Sequence, residues 1–159
     1  MTAPFRLELE ILPSQRFGEG PRIHADIHST VKTGKRIFVD YQLQPVELLL
    51  TGPDGKPIGP FDERTRKKFD TTRHKYLFRV LGPSSEYVAR EDVFKRVDGS
   101  WELRFGSFTF SRLRPGTYRG KLRFTSEGTH WEENGKTGEY DDLWEGTIES
   151  PEVEFVLPS

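Results

Sequence analysis

Cysteine is absent from the 159 residues, and methionine occurs once, at Met1. Without thiols there is no disulfide, no thiolate metal site and no cysteine nucleophile, so any fold must stand on packing alone. Long apolar runs are missing too: no stretch approaches the roughly 18 residues of a membrane span. Met1-Thr2-Ala3-Pro4-Phe5 leads straight into a strand pattern, without the basic segment and apolar core of a secretory leader, and the expected compartment is the cytosol. Helical periodicity is a further absence over any window of about eleven residues or more. Among chemical signatures there is no Gly-x-Ser-x-Gly elbow, no His-Glu-x-x-His and no Walker glycine loop. Asp62-Glu63 and Glu91-Asp92 are adjacent, and adjacent strand residues point to opposite faces, so neither forms an acid/base couple. The expectation is a chain that is not an enzyme.

What is present begins with charge. The formal net charge is only -1, but residues 1–125 carry 23 Lys/Arg against 15 Asp/Glu, whereas residues 126–159 carry one Lys against ten Asp/Glu. Such asymmetry points to a partner surface or to electrostatic self-association rather than to nucleic acid. The length fits a single domain, residues 1–159, that buries roughly two-thirds of the surface its unfolded chain exposes.

Strand signals then dominate. Phe5, Leu7, Leu9 and Ile11 alternate with Arg6, Glu8 and Glu10, the period of a half-buried strand. Ile23, Ala25 and Ile27 alternate with His24, Asp26 and His28, and Lys32-Thr33-Gly34-Lys35 turns the chain into Ile37-Phe38-Val39. Val46 to Leu50 ends at Gly52-Pro53-Asp54-Gly55-Lys56-Pro57, a hairpin turn with Pro57-Ile58 on the return. Residues 60–75 form a basic excursion with room for one helical turn, and Tyr76 to Leu81 resumes the sheet. Asp98-Gly99 between Phe94-Val97 and Trp101-Phe105 predicts a hairpin with Trp101, Leu103 and Phe105 on one face. Leu113-Arg114-Pro115-Gly116-Thr117-Tyr118 turns a corner into a strand of Tyr118, Gly120, Leu122 and Phe124, and Trp144–Ile148 and Val153–Val156 close the chain. Eight or nine strands without helices predict an all-β fold, a single antiparallel β-sandwich.

Pro53-Asp54-Gly55-Lys56, Leu113-x-Pro115-Gly116-Thr117-Tyr118 and Ser150-Pro151-x-Val153-x-Phe155-x-Leu157 together resemble a bacterial immunoglobulin-like or fibronectin-III-like module across residues 45–157. In fibronectin-III domains the tyrosine commonly follows the turn one residue later than Tyr118 does. Size, missing leader and topology also resemble the intracellular bacterial proteinase inhibitors, which implies, by analogy alone, an extended loop entering a protease cleft.

Three segments are candidates for function. His24-x-Asp26-x-His28 places two imidazoles and a carboxylate on one strand face, a donor set suited to zinc or a similar divalent ion, with His74 or His130 available to complete it; the same alternation equally describes a solvated strand face. Residues 126–145 form a long acidic-aromatic connection, with Trp131, Tyr140 and Trp144 as aromatic anchors and Glu132, Glu133, Asp141 and Asp142 as the charges of a protein-binding surface. The acidic spacing matches no EF-hand loop. The alternative is a hairpin extension in which Trp131 and Trp144 pair across two strands, with Asn134-Gly135 or Thr137-Gly138 at its tip. Arg64, Arg66, Lys67, Lys68, Arg73, His74 and Lys75 are a solvated surface or a dock for an acidic partner, including the 126–145 segment of a second copy. The expected function is binding of another protein through end loops, chiefly 126–145, without a cofactor. Proteinase inhibition, and a metal-binding protein or metalloenzyme using a divalent ion at His24, Asp26 and His28, are the alternatives.

Overall fold

The computed structural model describes residues 5–29, 36–38, 46–59, 78–80, 87–105, 108–126, 130–139 and 144–159. They form fourteen strand segments: β1 (Phe5–Leu12), β2 (Glu19–Ser29), β3 (Arg36–Phe38), β4 (Val46–Thr51), β5 (Pro57–Ile58), β6 (Phe78–Val80), β7 (Tyr87–Val97), β8 (Ser100–Phe105), β9 (Phe108–Leu113), β10 (Gly116–Ser126), β11 (His130–Glu133), β12 (Lys136–Glu139), β13 (Gly146–Glu149) and β14 (Val153–Leu157). Two large antiparallel sheets make the sandwich, one in the order β1-β2-β7-β8-β9 and the other in the order β13-β10-β4-β5, with β14 also on β10. β13 and β14 flank the same edge of β10, so they act as two halves of one broken strand. Counted that way, the large sheets hold nine strands. The other four segments are two-stranded ribbons, β3 with β6 and β11 with β12.

The alternation in the sequence explains which face each sheet buries. Leu7, Leu9, Ile23, Ala25 and Ile27 line the inner face of the first sheet, and Leu48, Leu50, Tyr118, Leu122 and Phe124 that of the second. Phe94 and Tyr118, from opposite sheets, both pack on Phe155, with ring centroids 5.4 and 5.8 Å apart. Each large side chain buried in this way is worth about 1.5–3 kcal/mol. Trp101 is the largest of the fully buried side chains. Its indole N–H donates to the Pro158 carbonyl at 2.9 Å, tying the chain's end to β8. Its ring lies so close to β2 that a Cβ at Gly20 would meet it at 2.9 Å, beside the bulge between Glu19 and Arg22.

Turn chemistry sets the connections. Asp98 and Gly99 have φ of 50° and 78°, and Asn134 and Gly135 have 51° and 75°. Both pairs have the positive φ values that a type I′ hairpin demands. At the corner, the Tyr118 hydroxyl donates to the Arg114 carbonyl at 2.6 Å, fastening the start of β10. The bond ties the side chain to the backbone four residues upstream, across the Pro-Gly turn. At the β13/β14 break, Ser150 N–H donates to the Leu122 carbonyl and Ser150 Oγ accepts from Leu122 N–H at 2.8 Å, which satisfies the ladder just before Pro151.

Three expectations change. The strand expected at Tyr76 to Leu81 is the short β6, which pairs with β3 in a separate ribbon and not within either large sheet. β7 begins at Tyr87, well before the Phe94 start of the expected hairpin, because the polar run Arg90-Glu91-Asp92 conceals its alternation. The basic excursion 60–75 lies outside the described residues, as do His74 and the Lys32–Lys35 turn.

Candidate functional site

The polar face of the first sheet is set by register. His24 on β2 stands opposite Glu10 on β1 and Glu91 on β7, and Asp26 stands opposite Glu8 and Ala89. His24 Nε2 approaches Asp26 Oδ1 to 3.0 Å, and His24 Nδ1 lies 3.6 Å from Glu91 Oε2. Among the described residues, His24 Nδ1 and Asp26 Oδ1 are buried polar atoms without a hydrogen-bond partner. Arg22 donates to Glu91 at 2.8 Å and to the Pro13 carbonyl at 3.1 Å. That bond to Arg22, working against partial desolvation, holds the Glu91 carboxyl below the usual glutamate range.

Asp26 and Glu91 therefore flank the His24 imidazole at its two nitrogens. Among the described residues no group of three or more His, Asp or Glu is placed to hold a metal ion. The side chain of His28, whose backbone stands opposite Tyr87, lies outside the described part of the molecule.

At the β1–β2 loop end of this face lies an open cleft of about 680 Å³. Its walls alternate in sign: Arg16, Arg22, Lys95 and Arg104 against Glu19, Glu91 and Glu102. A field of mixed sign suits interlocking ion pairs and steers neither a polyanion nor a polycation. The loop above it is well tied, since Ser14 Oγ donates to the carbonyls of Arg16 and Glu19 at 3.0 and 2.8 Å. It holds Phe17 fully in solvent. Sequence reasoning passed over this residue, although an aromatic in the polar turn Pro13-Ser14-Gln15-Arg16-Phe17-Gly18 was the available signal.

A second omission is the Arg90–Asp92 pair. Asp92 stands in register with Ile23 and Arg90 with Ala25, so this ion pair lies on the inner face of the sheet, with the guanidinium 5.6 Å from the Phe105 ring centre. Burial pushes the Asp92 carboxyl above its ordinary value, against the pull of Arg90.

The 126–145 segment is a ribbon. Trp131 stands opposite Gly138 and Glu132 opposite Thr137, with Asn134-Gly135 at the tip. Trp131 therefore does not pair with Trp144, which corrects the alternative of a cross-strand tryptophan pair; a tight I′ turn fixes the partners five and more residues before Trp144 is reached. Trp144 packs flat on Phe124, centroids 6.2 Å apart and planes 16° from parallel, and is half-buried. It fastens the return of the chain to the core. The side chains of Trp131, Glu132 and Glu133, and all of Tyr140, Asp141 and Asp142, lie outside what is described.

No helix among the described residues is long and apolar enough to cross a membrane. No family model and no curated protein matches the chain. Among solved structures it is similar to β-glucosidase 3B from Thermotoga neapolitana, a structure in complex with glucose, at 14% identity and a TM-score of 0.30. The match covers 96% of this chain and 17% of that one.

Proposed function

We propose that the chain is a non-enzymatic, immunoglobulin-like module that binds another protein through the ribbon of residues 130–139 and its flanking connections. The observation that carries this reading is the ribbon itself, which among the described elements pairs with neither large sheet although its tip is preset for a tight hairpin. A two-stranded hairpin buries little surface of its own. Its sequence nevertheless concentrates Trp131, Glu132 and Glu133, with Tyr140, Asp141 and Asp142 just beyond, the mixture of aromatic anchor and charge that recognition surfaces use. Trp144 serves to position this element through Phe124. The partner surface is basic, and the carboxylates set orientation and on-rate.

Strand order supports the immunoglobulin-like part of the reading. β1, β2 and β7 fall in the places of strands A, B and E, and β4, β10 and β13/β14 in those of C, F and G, with Tyr118 at the start of F. β8 occupies the sheet position of strand D but follows E in the chain, so β8 and β9 are an inserted hairpin that widens the first sheet.

The test is affinity capture from lysate of the source organism with the intact chain beside a folded variant whose residues 128–142 are replaced by a short turn, followed by titration with the purified captured protein. A protein that binds the intact form and loses at least about tenfold in affinity with the replacement supports the reading. A partner held equally by both forms overturns it.

A further inference from the structure

Among the exposed large apolar side chains, Val97 and Val156 keep part of their surface covered, at 43% and 59%, whereas Phe17 on the β1–β2 loop is 108% exposed. A single apolar residue in water is ordinary on a loose loop, but this loop is braced by its own bonds. Glu19 N–H donates to the Arg16 carbonyl at 3.2 Å, and Gly18 takes φ 84°, the value that the third position of a type II turn requires. Ser14 Oγ reaches the carbonyls of Arg16 and Glu19, and Arg22 Nε donates to the Pro13 carbonyl. Phe17 therefore stands at the second position of a fixed turn, and little ordering is left for a partner to impose on it.

We infer that Phe17 is the anchor of a second docking surface, whose occupant is a folded protein with an apolar pocket and carboxylates at the pocket's rim. A tight turn presents a knob and not an extended strand, so its complement is a pocket; aromatic anchors seated in pockets carry much of the affinity of such contacts. Charge selects the rim. Arg16 and Glu19, on either side of Phe17-Gly18, line the open cleft together with Lys95 and Arg104. Among the described residues the exposed Arg16 and Lys95 form no ion pair, and neither does the half-buried Glu19. Glu91 is engaged by Arg22 at 2.8 Å and Glu102 by Arg104 at 3.5 Å. The charge left for a partner beside Phe17 is thus net positive and exposed, which calls for carboxylates opposite. This surface lies on the β1–β2 loop and stands or falls independently of the ribbon.

The test replaces Phe17 in the full chain by the photoreactive analogue p-benzoylphenylalanine, irradiates it in lysate of the source organism, and purifies the protein joined at that position for titration against variants. Phe17→Ala is expected to weaken the complex by at least about tenfold, while its thermal melt matches wild type because a fully exposed ring holds nothing in the fold. Arg16→Glu slows association and reduces its dependence on salt. Replacing residues 128–142 by a short turn leaves the affinity within about threefold of wild type. Absence of any protein joined at position 17, a partner indifferent to Phe17→Ala, or a partner lost with the 128–142 replacement overturns the inference. Sedimentation with phosphatidylcholine vesicles containing phosphatidylserine is the remaining arm: binding that depends on Phe17 assigns the knob to a membrane surface and overturns it as well.

Discussion

The corner at Arg114–Tyr118 and the ribbon at 130–139 are built from the same ingredients, a glycine-bearing turn beside an aromatic residue, and they end as opposites. At the corner the tyrosine is 2% exposed, its hydroxyl tied to the carbonyl four residues back. Gly116 there adopts φ 151° with the Pro53 ring pressed against it. In the ribbon, Gly135 at φ 75° faces open space, and the strands it joins pair only with each other among the described elements. Turn chemistry alone decides that the chain reverses. Whether the reversal becomes part of the core depends on what packs against it, here Pro53 from the β4–β5 turn and Phe155 from the neighbouring β14.

Exchanging one methyl group tests that contrast most sharply. A Cβ at Gly116 meets Pro53 Cγ at 2.7 Å, and the φ is one that L side chains seldom adopt. Neither the ring nor the strand start can swing aside easily, so Gly116→Ala is expected to cost about 3 kcal/mol, the sum of backbone strain and overpacking. Gly135→Ala meets nothing within 4 Å, and only the left-handed backbone penalty of about 1 kcal/mol remains. For a chain of this length the two translate into melting points lower by about 10 °C and about 3 °C. Equal losses in parallel thermal melts break the distinction between a core corner and a free one.

The same contrast shows what was legible in the sequence. The period-two runs of Phe5–Ile11 and Ile23–Ile27 and the turns at Asp98-Gly99 and Pro53-Asp54-Gly55 were sufficient to place the inner faces and hairpins, because side-chain alternation and positive φ are local properties. The broken β13/β14 edge was not legible, since Ser150 completes the ladder through Leu122, 28 residues away. Nor was the inward ion pair of Arg90 and Asp92: its polarity suggests a solvent face, and only the register with Ile23 and Ala25 turns it inward. For the candidate site, alternation put His24 and Asp26 on one face, as found. It did not anticipate Glu91 from β7 on the other side of the imidazole.

A smaller effect sharpens the role of the corner tyrosine. Tyr118→Phe keeps the ring on Phe155 and removes only the bond to Arg114, worth about 1 kcal/mol. Arg114 is exposed, so water can reach its freed carbonyl and limit the loss. Lys136→Ala, at an exposed ribbon position, is expected to shift stability by less than about 0.5 kcal/mol. Urea titrations with unchanged slopes and midpoints in this order bear out the ranking, and a Tyr118→Phe midpoint equal to wild type means the hydroxyl tie is incidental.

The finest comparison sets a solvent-side carboxylate against an inward one. Lys121 donates to Glu149 on β13 across 2.8 Å, and the bond holds that carboxyl below the ordinary glutamate value. A carboxyl lowered in the fold adds stability that is fully present above its unfolded pKa of roughly 4.3 and is lost as pH falls through the folded value. Asp92 is raised by burial, so the sign reverses: between an unfolded pKa of roughly 3.9 and the higher folded value, the native state binds more protons and stability declines as pH rises. Glu149→Gln is therefore expected to flatten the acid-side rise of stability below about pH 4.3, and Asp92→Asn to remove the decline above about pH 3.9. The measurement is the slope of unfolding free energy against pH in urea titrations from about pH 3 to 6, because the slope reports the titrating group even where Asp92→Asn also lowers the level by leaving Arg90 without its carboxylate. If both variants change the slope in the same direction, Asp92 is solvated in the folded chain, and the inward pair on β7 belongs with the surface charges and not with the core.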